Sequence, residues 1–256
     1  MEDSRAPAEK EYVAGLERGL SVIEAFGILN RPLTLSEVAE VTGHTRASAR
    51  RSLLTLQRLG YVEAEGKLFR LAPRVLRLGH AYVTSSAIPK LVQPILEGIS
   101  ERSRESSSLA VLDGNDVVFV ARAATRRSLS NGLGLGSRLP AYCAATGRAL
   151  LAGLEPADAE LRLQRTRRVA LTPHTRTAVA DIMALLNEVR GKGYAICDQE
   201  LELGVRSIAV PVRDRRGHTV AAMSIVASVR GYGVDSMVEN LLPHLESGRR
   251  MLASSL

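Results

Sequence analysis

The chain has only two cysteines in 256 residues, Cys143 and Cys197, and they stand far apart. That excludes a disulfide framework. No CxxC or Cys/His cluster supplies a zinc ligand set either. The five histidines (His44, His80, His174, His218, His244) are scattered singly, so no metal and no cofactor are expected. No apolar run approaches the ~18 residues of a membrane helix. The opening, MEDSRAPAEKEYV, is polar and has no apolar core of signal-peptide type. A cytoplasmic protein without a membrane partner is expected. No internal repeat occurs. The most informative scarcity is local: between positions 41 and 96 the only acids are Glu63 and Glu65, against nine lysines and arginines. Much of the formal net charge of +7 sits there, which favours a polyanionic partner.

A composition 45% hydrophobic can bury a core, and the length suits one or two domains. Residues 1–11 read as a loose tail. A helix follows, with Leu16, Leu20, Ile23 and Gly27 on one face. Thr34 and Glu37 form a T-x-x-E capping box for a short second helix closed by Gly43. Thr45 caps a third helix over 46–59, with Ala49, Leu53, Leu56 and Leu59 inward. Helix, short helix, tight turn and helix is the helix-turn-helix order. Residues 61–64 and 67–71, bent at Glu65-Gly66, read as a wing. PRVLRLGHAYVTS (73–85) opens with proline at N1 and carries the stripe Val75, Leu78, Gly79, Tyr82. It reads as a bridge between two domains.

The third helix, within HTRASARRSLLTLQRLGY, holds Arg46, Arg50, Arg51 and Arg58 with no acid. Arg46 and Arg50, one turn apart, and Arg51 beside them occupy the half of the helix that enters a major groove in this motif. Ser48 is small and polar, fit for a phosphate or a base edge. Lys67 and Arg70 come from the wing. Thr45, Arg46, Ser48, Arg50, Arg51, Lys67 and Arg70 are therefore the candidate DNA-binding residues. Arg58 is read as complementing the helix C-terminus.

From Ser107 the texture changes to β-hairpins around Gly114-Asn115 and RRGH. A short strand lies in GYAIC, and helices at 145–152, about 178–190 and the C-terminus. Hairpins with interspersed helices imply an antiparallel α+β sensor domain, not a doubly wound sheet. GLGLGS (132–137) is a poor dinucleotide loop, because RLPAY and not a helix follows it. Cys143 lacks a His/Asp partner pattern, Ser207 and Ser224 lie in apolar strands, and Asp198, Glu200 and Glu202 alternate without an apposed sugar cleft. No catalytic residue is assigned. An enzyme with a DNA-targeting module and a non-specific nucleic-acid binder stay open as alternatives.

Three stretches together resemble one family. TLSEVAEVTGHTRASARRSLLTLQRLGYV, LPAYCAATGRALLAG and GYAICDQELELGVRSIAVPVRDRRGHTVAAMSI occur in the order found in IclR-type bacterial transcriptional regulators, over about residues 12–254. GSRLPAY, LTPHT and DQELELGVRSIAVPVRD are similar to the subgroup governing protocatechuate and β-ketoadipate catabolism. The resemblance implies a winged helix-turn-helix (12–72), a linker helix (73–87) and a GAF-like effector domain (88–256). It implies nucleoid-associated homodimers, and dimers of dimers, on a palindromic double-stranded operator. A small aromatic or dicarboxylic acid is the implied effector. Carried over residue by residue, the effector pocket comprises Ala145, Thr146, Cys197, Asp198, Ser207 and Ser224, with Arg138 and Tyr142 from the subgroup's loop. Arg138 or Arg206 supplies the cation such an acid wants.

Overall fold

The computed structural model describes residues 11–125 and 133–253. The expected tail, apart from Glu11, and the first glycine of GLGLGS fall outside them. The chain separates into two compact units between Tyr82 and Val83.

In the first unit, α1 (Ala14–Leu29) leads through β1 (Leu33–Thr34) to α2 (Leu35–Thr42) and α3 (Arg46–Arg58). The strands β2 (Val62–Glu65) and β3 (Leu68–Leu71) form the wing. β1, unforeseen in the sequence, adds to β3 and gives the order β1-β3-β2. Both expected caps are present. The Thr34 hydroxyl accepts from the Glu37 N–H while the Glu37 carboxylate accepts from the Thr34 N–H. The Thr45 hydroxyl accepts from the Ser48 N–H. The Arg31 guanidinium and these cap bonds hold the Glu37 carboxyl at about 2. Gly43 (φ 67°) and Gly66 (φ 61°) occupy left-handed turn positions that a side chain would strain.

The core of this unit is Val22, Phe26, Leu33, Val38, Leu53, Leu56 and Val62 with their neighbours. It corrects the reading of α1. Val22, Ala25 and Phe26 are buried, whereas Leu16 and Leu20 are 63% and 47% exposed. The helix carries two apolar stripes, and among the described residues of this unit only one enters the core. Leu59 is also exposed, on the groove that Leu16 and Leu20 line. The stretch 73–85 divides into a 3-10 turn, Pro73–Val75, and α4 (Leu76–Ser85), on which Leu78 and Tyr82 are exposed.

The second unit opens with α5 (Ala87–Ser103), β4 (Ser106–Asp113), β5 (Asp116–Ala123) and β6 (Arg138–Pro140). Next come α6 (Ala145–Ala152), α7 (Pro156–Arg165) and α8 (Val179–Lys192). β7 (Ala195–Asp198), β8 (Val205–Arg213), β9 (Thr219–Ser228) and α9 (Val234–Ala253) complete it. The strands form one antiparallel sheet in the order β6-β5-β4-β9-β8-β7, as the hairpin pattern led one to expect. α7 and β6 were not foreseen. One face of the sheet packs Leu109, Ile208, Val210, Met223 and Ile225 against α5 and α9. The other packs Ala110, Val117, Phe119, Ala209 and Ala222 under α6, with α8 behind. Every element of the functional site can be assigned to one of these two faces, because residues paired across antiparallel strands share a face. No helix among the described residues is long and apolar enough to cross a membrane.

Candidate functional site

On α3, successive side chains turn by 100°. Ala49, Leu53 and Leu56 are buried, so Ala47, Arg50, Arg51, Leu54 and Arg58 face outward, with Arg46 at the first turn. Arg46, Arg50, Arg51 and Lys67 are exposed and make no ion pair among the described residues. Two candidates stand differently. Ser48 is only 8% exposed and lines the groove against α1 with Gly19, Ile23 and Arg51. Arg70 is held by Glu63 at 2.9 Å and Glu65 at 3.4 Å, which offsets its charge across the wing. The structure therefore presents Thr45, Arg46, Arg50, Arg51 and Lys67 as the accessible part of the expected set.

In the second unit the expected cations are committed elsewhere. Arg138 is bound by Asp113 and Asp116 at the β4–β5 end. Arg206 makes two bonds to Asp198, of 2.9 and 2.7 Å, and a third to the Tyr232 carbonyl. Arg206 pairs with Asp198 and with Ala227, which belongs to the α5/α9 core. This corrects the placement of Asp198: it lies on the face opposite the other pocket candidates. Cys197 and Ser207, paired with each other, lie on the α6 face, as does Ser224, paired with Ala209.

The α6 face carries a cation that the sequence reading missed. Arg122 pairs with Ser108, and Ser108 pairs with Ser224. The two serine hydroxyls are 3.2 Å apart. These three residues form one row on adjacent strands, with Ser207 and Cys197 in the next. Burial lowers the Arg122 pKa, since a low-dielectric surround disfavours the charged form. Simple alternation along VVFVARA puts Arg122 opposite Phe119. A β-bulge leaves Val120 without a partner, because Phe119 pairs with Ala110 and Ala121 with Leu109. The extra residue reverses the phase, and Arg122 returns to the face of Phe119.

Above the sheet lie the remaining candidates. Tyr142, Ala145 and Thr146 are buried in the α6-side cluster. The Tyr142 hydroxyl donates to the Val169 carbonyl at 2.7 Å and accepts from the Val169 N–H at 3.0 Å, which fixes the ring. Cys197 Sγ donates to the Cys143 carbonyl at 2.8 Å. Burial pushes the Cys143 thiol up to about 12 and raises the Cys197 thiol as well. Both are thiols at neutral pH, without nucleophilic character. No group of His, Cys, Asp and Glu able to hold a metal occurs among the described residues.

A winged helix-turn-helix with an arginine-rich third helix, followed by an antiparallel sheet carrying a polar row under a helix, defines a ligand-sensing DNA-binding protein. Residues 15–66 match the IclR helix-turn-helix domain and residues 80–247 the bacterial transcriptional regulator IclR C-terminal domain. The chain belongs to the IclR family of transcriptional regulators. It is 38% identical to the Pca regulon regulatory protein of Pseudomonas putida, over 97% of this chain and 86% of that protein; the subgroup resemblance seen in the sequence is borne out. A crystal structure of a transcriptional regulator from Rhodococcus sp. RHA1 is 43% identical and superposes with a TM-score of 0.82, covering 96% of this chain and 98% of that one. An IclR homologue from Microbacterium hydrocarbonoxydans, solved with 4-hydroxybenzoate, is 26% identical with a TM-score of 0.78, covering 94% and 98%.

Proposed function

We propose that this regulator binds a small aromatic carboxylate on the α6 face of its sheet and answers by changing its affinity for a palindromic operator, without turning the ligand over. The observation that carries this reading is the Arg122–Ser108–Ser224 row, a partly buried cation beside two hydroxyls. A carboxylate gains charge-assisted bonds there, and the apolar surround of Phe119 suits an aromatic ring. The 4-hydroxybenzoate held by the Microbacterium homologue supports the ligand class. Of the residues implied by the resemblance, Tyr142, Ala145, Thr146, Cys197, Ser207 and Ser224 keep this role; Arg122 takes the place given to Arg138. α4 crosses the boundary between the units in sequence and is the covalent route for the response. A coupling of about 1–3 kcal/mol suffices for a usable switch.

The test is a calorimetric titration of the protein with 4-hydroxybenzoate, protocatechuate and β-ketoadipate. At least one aromatic acid binds saturably and changes operator affinity, with random DNA unaffected. Arg122→Met weakens that binding by about tenfold or more, the value of a hydrogen bond to a charged group. Release of a product, or a ligand affinity untouched by Arg122→Met, overturns the reading.

The same reading makes the protein a homodimer that can pair again into a tetramer. Leu16, Leu20, Leu59 and Leu78 expose apolar surface on one groove of about 580 Å³ in the first unit. A second copy of this groove is the occupant. Two α3 helices would then meet half-sites one DNA turn apart. Leu16→Asp with Leu20→Asp should give a monomer by light scattering and abolish tight operator binding. A variant that remains dimeric places the interface elsewhere.

A further inference from the structure

Three stretches that carry the family resemblance converge on one buried ion pair that the proposed ligand contacts do not use. Arg148 comes from ATGRALLA, Glu200 from DQELELG, and Thr172 and Thr175 from LTPHT. The Arg148 and Glu200 side chains are only 2% and 8% exposed. The pair is bidentate, with Nη1–Oε1 at 2.5 Å and Nη2–Oε2 at 2.6 Å. Arg148 Nε donates to the Tyr142 carbonyl at 3.1 Å and Nη1 to the Ile196 carbonyl at 3.4 Å. The Glu200 carboxylate also accepts from the Arg176 N–H at 2.9 Å. The threonine hydroxyls close the knot, Thr172 donating to the Gln199 carbonyl at 2.7 Å and Thr175 to the Glu200 carbonyl at 2.6 Å.

A buried ion pair is a poor device for stability, since an apolar pair of similar volume commonly does as well. What it supplies is direction. An Arg–carboxylate fork fixes two groups in one plane, and here nearly every donor and acceptor of the fork is used. The bonds tie together segments distant in sequence: the turn ahead of α6, the end of β7, and the loop before α8. The first contains Tyr142 and leads into Ala145 and Thr146 at the start of α6. The last follows Val169, which holds the Tyr142 hydroxyl.

We propose that Arg148 and Glu200 are the positioning residues of the effector site: they set the 140–146 turn over the α6 face of the sheet, and ligand affinity depends on that placement. The proposal rests on the reading of that face as the effector site. It predicts that replacing the pair by apolar residues separates stability from recognition.

The experiment compares the wild-type protein, the double variant Arg148→Met with Glu200→Leu, and Arg148→Lys. Thermal melting and hydrogen–deuterium exchange are read without ligand, and titration with 4-hydroxybenzoate and protocatechuate follows. The double variant is expected to melt near the wild type yet exchange the amides of residues 141–147, Thr172 and residues 174–176 at least tenfold faster. Whichever acid the wild type binds should bind the variant at least tenfold more weakly, with operator affinity in the absence of ligand unchanged. Arg148→Lys keeps the charge and loses the fork, so it shows the same exchange signature even should the double variant fail to fold. Unchanged exchange in folded variants overturns the positioning role, as does unchanged affinity for an acid the wild type binds. A wild type that binds neither acid, with the exchange signature present, rejects the aromatic ligand class and leaves the placement of the turn by this pair standing.

Discussion

Arg50→Ala should weaken specific operator binding by roughly 5- to 150-fold, the 1–3 kcal/mol of a lost base contact, while leaving the fold intact. Arg50 is exposed on α3, outside the buried set of Ala49, Leu53 and Leu56, and is not needed for packing. Arg51→Ala, if its guanidinium meets phosphate, should act differently. Affinity for operator and random DNA should fall together, and the salt dependence should lose about 0.9 in slope for each contact. Ser48→Ala is the internal control: its side chain is buried in the groove against α1, so operator affinity should stay within twofold of wild type. Fluorescence anisotropy across a salt series separates the three. A folded Arg50→Ala protein with undiminished operator affinity would remove α3 from the recognition surface.

Gly147→Ala should be among the most damaging single substitutions in the second unit. A Cβ at this position would lie 2.1 Å from the Ala141 carbonyl oxygen and 2.4 Å from Ala141 Cα. Both obstacles are backbone, so no rotamer change relieves them, and α6 must move off the turn that carries Tyr142. Overpacking of this kind costs about 3 kcal/mol. For a unit of this size that lowers the melting temperature by roughly 6–12 °C. The first unit has its own core and should keep its melting transition and its helix content. Effector binding should be lost with the α6 placement. Calorimetry showing the second unit unchanged would mean the contact between α6 and the turn is looser than the geometry states.

What the sequence made legible was local. The Thr34–Glu37 box, the Thr45 cap, the glycine turns and the alternating hairpins all depend on residues a few positions apart, and each sits as read. The errors arose where a third element decides. α1 carries two apolar stripes, and periodicity alone does not say that Val22 and Phe26 meet the core while Leu16 and Leu20 do not. Ser48 is polar, yet the groove against α1 buries it. A bulge of one residue hid Arg122, and Arg138 and Arg206 looked available until their aspartates were seen. The family motifs pointed to the α6 side of the second unit but gave no partners. Nothing in ATGRALLA or DQELELG announces that Arg148 and Glu200 meet across intervening helices.

The strand order of the second unit has a consequence for how the chain is made. β4 is hydrogen-bonded to β9, with Ser106 opposite Val226, so the centre of the sheet joins residues more than a hundred positions apart. In the first unit the wing pairs locally, Val62 with Leu71, and the farthest pairing reaches only from Leu33 to Phe69. Local pairings close quickly and distant ones slowly. During synthesis the DNA-binding unit can therefore be complete while β4 and β5 still wait on the ribosome for β9. For that interval their apolar surface has no native cover, and chaperone demand should fall on the effector half of a nascent chain whose operator-reading half is already folded.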